Sequence, residues 1–212
     1  MQNIYTLAVI GGTGKSGKYL VNQLLHRGIS LKLLLRNPEN LQVSDSLIKV
    51  VEGDARNYQS VLSLVRGCQA VISTLGQPKD EPSIFSQATR NVIRAMNKTN
   101  IQRYIVTTGI NVDTPFDQKS LNTQYATDWM KTNFSETTTD KQLEYTILSE
   151  SDIDWTLVRL PLIEQSESRS EIEVSLKDCF GDRISAVNLA HFLIQQLEDD
   201  TYIRKAPFVA NV

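Results

Sequence analysis

Apolar positions fall into two alternating patterns. The first is the short, nearly unbroken run. Leu7 to Ile10 stops at Gly11, Leu31 to Leu35 stops before Arg36-Asn37-Pro38, and Ile48 to Val51 leads into Glu52-Gly53-Asp54. Ala70 to Thr74, Arg103 to Val106 (ending Thr107-Thr108-Gly109) and Trp155 to Val158 (ended by Pro161) continue the series. Such runs suit strands buried on both faces of a parallel sheet. The second pattern has helical spacing and lies between the runs. Leu20, Val21, Leu24 and Leu25 share a face that Gly28 ends, and Asn57 to Val65 carries Val61, Leu62 and Val65 before Gly67. Pro82 and Ser83 open a helix with Ala88, Val92, Ile93 and Met96. Lys141 to Ser149 turns Leu143, Ile147 and Leu148 inward, and Ala186 to Leu197 is the last strong helix.

Two stretches break the alternation. Residues 110–139 are polar, with Pro115, Tyr125 and Trp129, and read either as a long pocket-forming loop or as a poorly packed helix. Glu171 to Leu176 alternates strictly, as a half-exposed strand does, and Phe208 to Ala210 is a short final strand. Strands alternating with helices predict an α/β fold, a Rossmann-type doubly wound parallel sheet with helices on both faces and a small C-terminal substrate-side region. A single domain over residues 1–212 is expected, with 110–140 and 160–185 covering the cleft. Right-handed crossovers place Gly11, Arg36, Asp54, Thr74 and Thr107 at one edge of the sheet, where open α/β sheets bind ligands.

The first strand, its turn and the next helix carry the chemistry. Gly12, Gly14 and Gly17 fit G-x-G-x-x-G, and Gly11, Gly14 and Gly17 fit G-x-x-G-x-x-G. Between a strand and a helix, this pattern points to a dinucleotide: glycines admit the pyrophosphate to backbone N–H groups, and the helix N-terminus adds partial positive charge. Gly14-Lys15-Ser16 does not complete a P-loop, because Val9 stands where that motif needs its first glycine. Arg36 occupies the position where a NAD site usually carries an acid; its planar fork suits a 2′-phosphate, the alternative being a solvated strand-end arginine. Asp54 reads equally as an acceptor for the adenine amino group or as a helix cap.

Composition removes other classes. With 22 basic and 24 acidic residues the formal net charge is −2, which gives no electrostatic case for nucleic acid or a membrane surface. Cys68 and Cys179, the two cysteines, form neither a metal pair nor a disulfide framework and suit a reducing cytosol. No metal site is expected. His26 and His191 each sit alone on a helix and read as structural. Met1 to Tyr5 leads straight into a core strand, so no secretory leader is expected.

Ala8-Val9-Ile10-Gly11-Gly12-Thr13-Gly14, Leu35-Arg36-Asn37-Pro38, Gly53-Asp54 and Ser151 to Arg159 together resemble the atypical short-chain dehydrogenase/reductase group. That group includes NmrA-like proteins and flavin/biliverdin-reductase-B-like enzymes; Asp199 to Phe208 is similar to the flavin-reductase branch. The resemblance covers nearly the whole chain. It implies that Gly11, Thr13, Gly14, Lys15, Ser16 and Gly17 lie along the phosphates and that Arg36 binds the 2′-phosphate of NADP(H). By the same resemblance Asp54 and Ala55 lie by the adenine, and Thr74, Leu75 and Gly76 face the nicotinamide-side ribose. Thr107 and Thr108 stand at the family's active-site Ser/Thr positions, and Lys141 matches the lysine of the catalytic helix.

The chain departs from the typical enzymes in one place. They carry Tyr-x-x-x-Lys, and no tyrosine here has lysine four positions later; Thr137 stands four before Lys141. Alcohol and ketone chemistry by that route is therefore disfavoured. The resemblance then implies an NADPH-dependent oxidoreductase acting on a small molecule, with flavins or quinones as acceptors because such rings take hydride while water supplies the proton. The alternative is a non-catalytic NADP(H)-sensing regulator of the NmrA-like kind. A nucleotide-sugar epimerase or dehydratase is a third reading, against which the short chain and the missing tyrosine both count. A cytoplasmic monomer or homodimer is expected.

Overall fold

A computed structural model describes residues 5–212. The expectation about a leader falls largely on residues 1–4, outside the described residues. In chain order the elements are β1 (Thr6–Ile10), α1 (Gly17–His26), β2 (Ser30–Leu35), β3 (Ile48–Glu52), α2 (Tyr58–Val65), β4 (Ala70–Ser73), α3 (Phe85–Thr99) and β5 (Arg103–Gly109). There follow α4 (Leu121–Asn133), α5 (Ser135–Ser149), β6 (Asp154–Leu160), β7 (Leu162–Glu164), β8 (Ile172–Ser175), β9 (Arg183–Ser185), α6 (Ala186–Gln195) and β10 (Phe208–Asn211).

Eight strands form one sheet in the order β3-β2-β1-β4-β5-β6-β10-β8. All neighbours are parallel except β10 and β8. The chain leaves β1 toward β2 on one side and reaches β4 on the other, so the topological switch lies beside β1. At such a switch the loops splay apart and leave a crevice at the carboxyl ends of the strands.

The apolar runs are explained by the two layers of helix. Leu7 and Val9 join Leu31, Leu33, Ile72 and Ile105 in the core under α1 and α6, while Ala8 and Ile10 join Val71, Tyr104 and Val106 in the core under α2, α3 and α5. Successive side chains on a strand point to opposite faces, so a strand covered on both must be apolar at nearly every position.

Of the two readings of 110–139 the helical one holds, since the stretch contains α4 and the start of α5. Three other expectations need correction. The helix α5 begins at Ser135 rather than Lys141. On α5, Leu143 faces solvent and Glu144 is buried in its place. Asp54 does not cap α2; Asn57 does, its Oδ1 accepting from the Ser60 N–H at 3.1 Å. The short parallel pair β7 and β9 lacked a sequence signal. Three-residue strands are too short to show a period.

Candidate functional site

A cleft of about 1510 Å³ opens along the carboxyl ends of the strands. Single small-molecule pockets usually span roughly 300–1,000 Å³, so this one has room for a dinucleotide and a second molecule. Gly11, Thr13, Gly14, Lys15, Ser16, Arg36, Asp54, Ala55, Thr74, Leu75, Gly76, Thr107, Thr108 and Lys141 all line it. Gly17 does not. It lies behind the turn, where an added Cβ would stand 2.0 Å from the Gly11 carbonyl oxygen. Its part is to let α1 close against the turn. Gly11 has φ +80 and presses on β4, since a Cβ there would stand 2.7 Å from the Thr74 carbonyl oxygen. The Gly14 N–H donates to Gly11 O at 2.9 Å and the Thr74 hydroxyl donates to the same oxygen at 3.3 Å, which fixes the turn against β4.

At one end of the cleft, four charges form a chain. Glu81 bridges two arginines: its Oε1 accepts from Arg36 Nη1 at 2.7 Å and its Oε2 meets Arg56 Nη1 at 2.8 Å. Asp54 accepts from Arg56 Nε at 3.0 Å and Nη2 at 2.7 Å. These hydrogen bonds hold both carboxyls below their ordinary range and push the Arg56 guanidinium up. Neither Arg56 nor Glu81 was singled out in the sequence. Arg56 follows Asp54-Ala55 directly and could have been noticed there; Glu81 lies 45 positions from Arg36 and carries no local signal.

Near the end of β5 the cleft floor is polar and incompletely satisfied. Thr107 Oγ1 donates to Ser73 O at 3.5 Å. Thr108 Oγ1 and Asn111 Nδ2 are buried without a hydrogen-bond partner, and both residues line the cleft. A Cβ on Gly109 would stand 2.2 Å from Asn111 Oδ1 and 3.8 Å from Lys141 Nζ, so the two side chains converge on the last residue of β5. Lys141 lies over the Phe85 ring, 4.8 Å from its centroid, and burial pushes its ammonium below the ordinary lysine range. Burial pushes the Glu144 carboxyl up to about 7, against a 2.7 Å hydrogen bond from Thr89 and the attraction of Lys141. Tyr125 and Trp129 from α4, with Leu162 and Phe180, form an exposed apolar rim. Neither histidine lines the cleft; His191 sits between Arg27 and Arg169, and burial with those charges lowers its pKa.

A family model described as NAD(P)H-binding matches residues 11–200. The chain belongs to this NAD(P)H-binding family. Among curated relatives it is similar to the mitochondrial NADH-ubiquinone oxidoreductase 40 kDa subunit of Neurospora crassa, 31% identical over 121 residues, covering 51% of this chain and 32% of that one. Cinnamoyl-CoA reductase 1 of Petunia hybrida is 27% identical over 116 residues, covering 49% and 35%. The chain thus spans about a third of the length of the curated relatives it matches. Among solved structures, a short-chain dehydrogenase/reductase from Veillonella parvula in complex with NADP superposes with TM-score 0.78 at 16% identity, over 98% of this chain and 94% of that one. ChuY, an anaerobillin reductase from Escherichia coli, gives TM-score 0.81 at 17% identity, over 97% of each chain. These are likenesses of fold.

The geometry fits the group that an NAD(P)H-binding chain holds. Gly14 offers a wall without a side chain, and its missing Cβ would meet only Gly11 O, at 3.1 Å. The unpartnered Thr108 hydroxyl and Asn111 amide supply polar groups at the β5 end. Asn111 is the residue that sequence reasoning missed here; a buried asparagine in a polar stretch has no periodic signature.

Proposed function

We propose that the protein is an NADPH-dependent reductase whose acceptor is a conjugated ring, a flavin or a quinone. One observation carries the reading: a single cleft joins an arginine-bearing adenosine end to a polar floor at Thr108, Asn111 and Lys141 that has no Tyr-x-x-x-Lys pair. When bound, the dihydronicotinamide supplies hydride. The chain's part is to hold two rings in register, exclude water from between them and present donors to the acceptor's carbonyl oxygens. Two electrons and one proton leave the nicotinamide as hydride, and a second proton comes from solvent. Purified protein mixed with NADPH and FMN, riboflavin or menadione should oxidise NADPH faster than a matched control without protein. No acceleration with any of them overturns the reading. Tight NADP(H) binding without turnover would favour the regulator instead, a reading that the missing tyrosine also supports.

The preference for NADP(H) over NAD(H) is assigned to Arg36. A guanidinium meeting a 2′-phosphate contributes about 1.5–3 kcal/mol, or roughly 10- to 150-fold in affinity. Arg36→Asp should erase or reverse the preference while barely changing NADH binding, as titration of both reduced cofactors will read. An unchanged ratio removes Arg36 from the site. No helix among the described residues is long and apolar enough to cross a membrane. The free, buried Cys68 and Cys179 suit a cytosolic location, which we propose together with a monomeric or homodimeric state.

A further inference from the structure

We infer that the 2′-phosphate is read by two guanidiniums, those of Arg36 and Arg56, and that Glu81 is a carboxylate latch occupying their shared anion site. The inference rests on the NADP(H) reading above and extends it.

Three observations carry it. First, one carboxylate spans arginines from the connections after the neighbouring strands β2 and β3, one oxygen to each, at 2.7 and 2.8 Å. A carboxylate placed so marks a spot where an oxyanion is favourable, and a phosphate offers three such oxygens. Second, Asp54 takes Nε and Nη2 of Arg56, which leaves Nη1 aimed at the place where Arg36 Nη1 also points. Arg56 is therefore oriented before any ligand arrives. Third, charge decides the direction of the effect. Arg36 and Arg56 are offset by Asp54 and Glu81, so the cluster is neutral while Glu81 is in place. A 2′-phosphate carries nearly two negative charges and gains from the arginines only once Glu81 has moved.

Moving it is easy, and only the side chain need move. The Glu81 side chain is a third exposed, and exposed ion pairs are weak. The backbone around it is tied down: Gln77 Nε2 donates to Glu81 O at 2.8 Å, and Asp140 accepts from Ser83 Oγ and the Phe85 N–H, both at 2.7 Å. Closed, the latch presents a carboxylate at the 2′ position, as an NAD site does. Open, it exposes two arginines. One site thus tolerates NADH while preferring NADPH.

The test is direct binding of NADPH and NADH, read by cofactor fluorescence, with thermal unfolding of each variant as the control for folding. Glu81→Gln should tighten NADPH roughly 3- to 10-fold, with NADH unchanged or weaker, as expected for the loss of competing exposed ion pairs. Arg56→Gln should weaken NADPH and leave NADH unchanged. If Glu81→Gln leaves the NADPH/NADH ratio unchanged or lowers it, while Arg36→Asp still abolishes the preference, the latch is wrong and the NADP(H) reading stands. If Arg36→Asp changes nothing, the latch and the assignment of the preference to Arg36 fall together.

Discussion

At the scale of single residues, the glycine turn separates what folds from what binds. Gly17 and Gly14 look equivalent in the motif but meet different surroundings. A Cβ at Gly17 would penetrate the Gly11 carbonyl, whereas one at Gly14 would only touch it. Gly17→Ala should therefore lower the melting temperature, because α1 must back away from the turn. Gly14→Val should fold and lose dinucleotide affinity, its side chain filling the pyrophosphate path. Thermal unfolding and NADPH titration on both variants check this, and a Gly14→Val protein that binds normally removes the turn from the site. Glu144 makes a second residue-scale prediction. Its folded pKa of about 7 lies above its ordinary 4.5. The groups facing it are Lys141, which favours the charged form, Asp140, which opposes it, and Thr89 with Tyr104. A raised carboxyl pKa contributes stability that is full below about 4.5 and is lost as pH rises through about 7. Glu144→Gln should remove that slope and gain on the wild type, by of order 1–3 kcal/mol, at mildly alkaline pH. Urea midpoints of both proteins between pH 5 and 8 decide it; parallel curves sink the idea.

At the scale of elements, legibility followed burial. β1, β2, β4 and β5 are central strands, and their apolar runs gave them away. The helix α4 was obscure because its polarity is inverted. It buries Thr123 and Thr127 and exposes Leu121, Tyr125 and Trp129. The buried hydroxyls donate to carbonyl oxygens of Cys179, at 3.2 Å, and Ile110, at 3.3 Å, so hydrogen bonds rather than apolar packing seat the helix. A search for apolar periodicity cannot see such a helix. In α5 the inversion is partial: Thr138 and Glu144 are buried, but so is Leu148, and only the stretch before Lys141 was hidden. The glycine turn and Arg36 were readable because they form a local motif. Glu81 and Asn111 were not, because their partners or surroundings come from distant parts of the chain; Arg56, two residues after its partner Asp54, was open to a local reading. The exposed face of α4 also lines the cleft, and this yields a test. Trp129→Ala loses an edge-on contact with Phe134 at 5.7 Å between centroids, which should cost less than about 1.5 kcal/mol of stability. Its larger effect should be a raised KM for a ring-shaped acceptor with kcat and NADPH affinity little changed. Wild-type kinetics would take Trp129 out of the substrate site.

For the whole molecule, the glycine-turn side of the cleft rests on the β1–β4 half of the sheet, while the other side is assembled from segments far apart in sequence. Arg159 on β6 holds those segments together. It is fully buried, and its Nη1 donates to both oxygens of Asp117, at 2.7 and 2.8 Å. Nη1 also reaches the Val112 carbonyl, Nε the Ala206 carbonyl and Nη2 the Leu176 carbonyl, and the guanidinium lies 3.5 Å from the centroid of the Phe208 ring. One side chain thus joins the loop before α4, the chain after β8 and the entry to β10. Replacing it by an apolar residue leaves the Asp117 charge partly buried with one cation nearby, Lys119 at 3.7 Å, and hydrogen bonds from the Thr114 N–H and hydroxyl at 3.1 and 2.7 Å. Breaking a buried pair from one side costs about 3–5 kcal/mol, a large part of the roughly 5–15 kcal/mol that holds a typical protein folded. Arg159→Met should therefore lower the melting temperature by roughly 6–20 °C, at about 2–4 °C per kcal/mol for a chain of this size. Adding Asp117→Asn should restore part of the loss, since the stranded charge is gone. If the double variant is less stable than Arg159→Met alone, the cost lies in lost packing on Phe208 and the three carbonyls, not in the unpaired carboxylate.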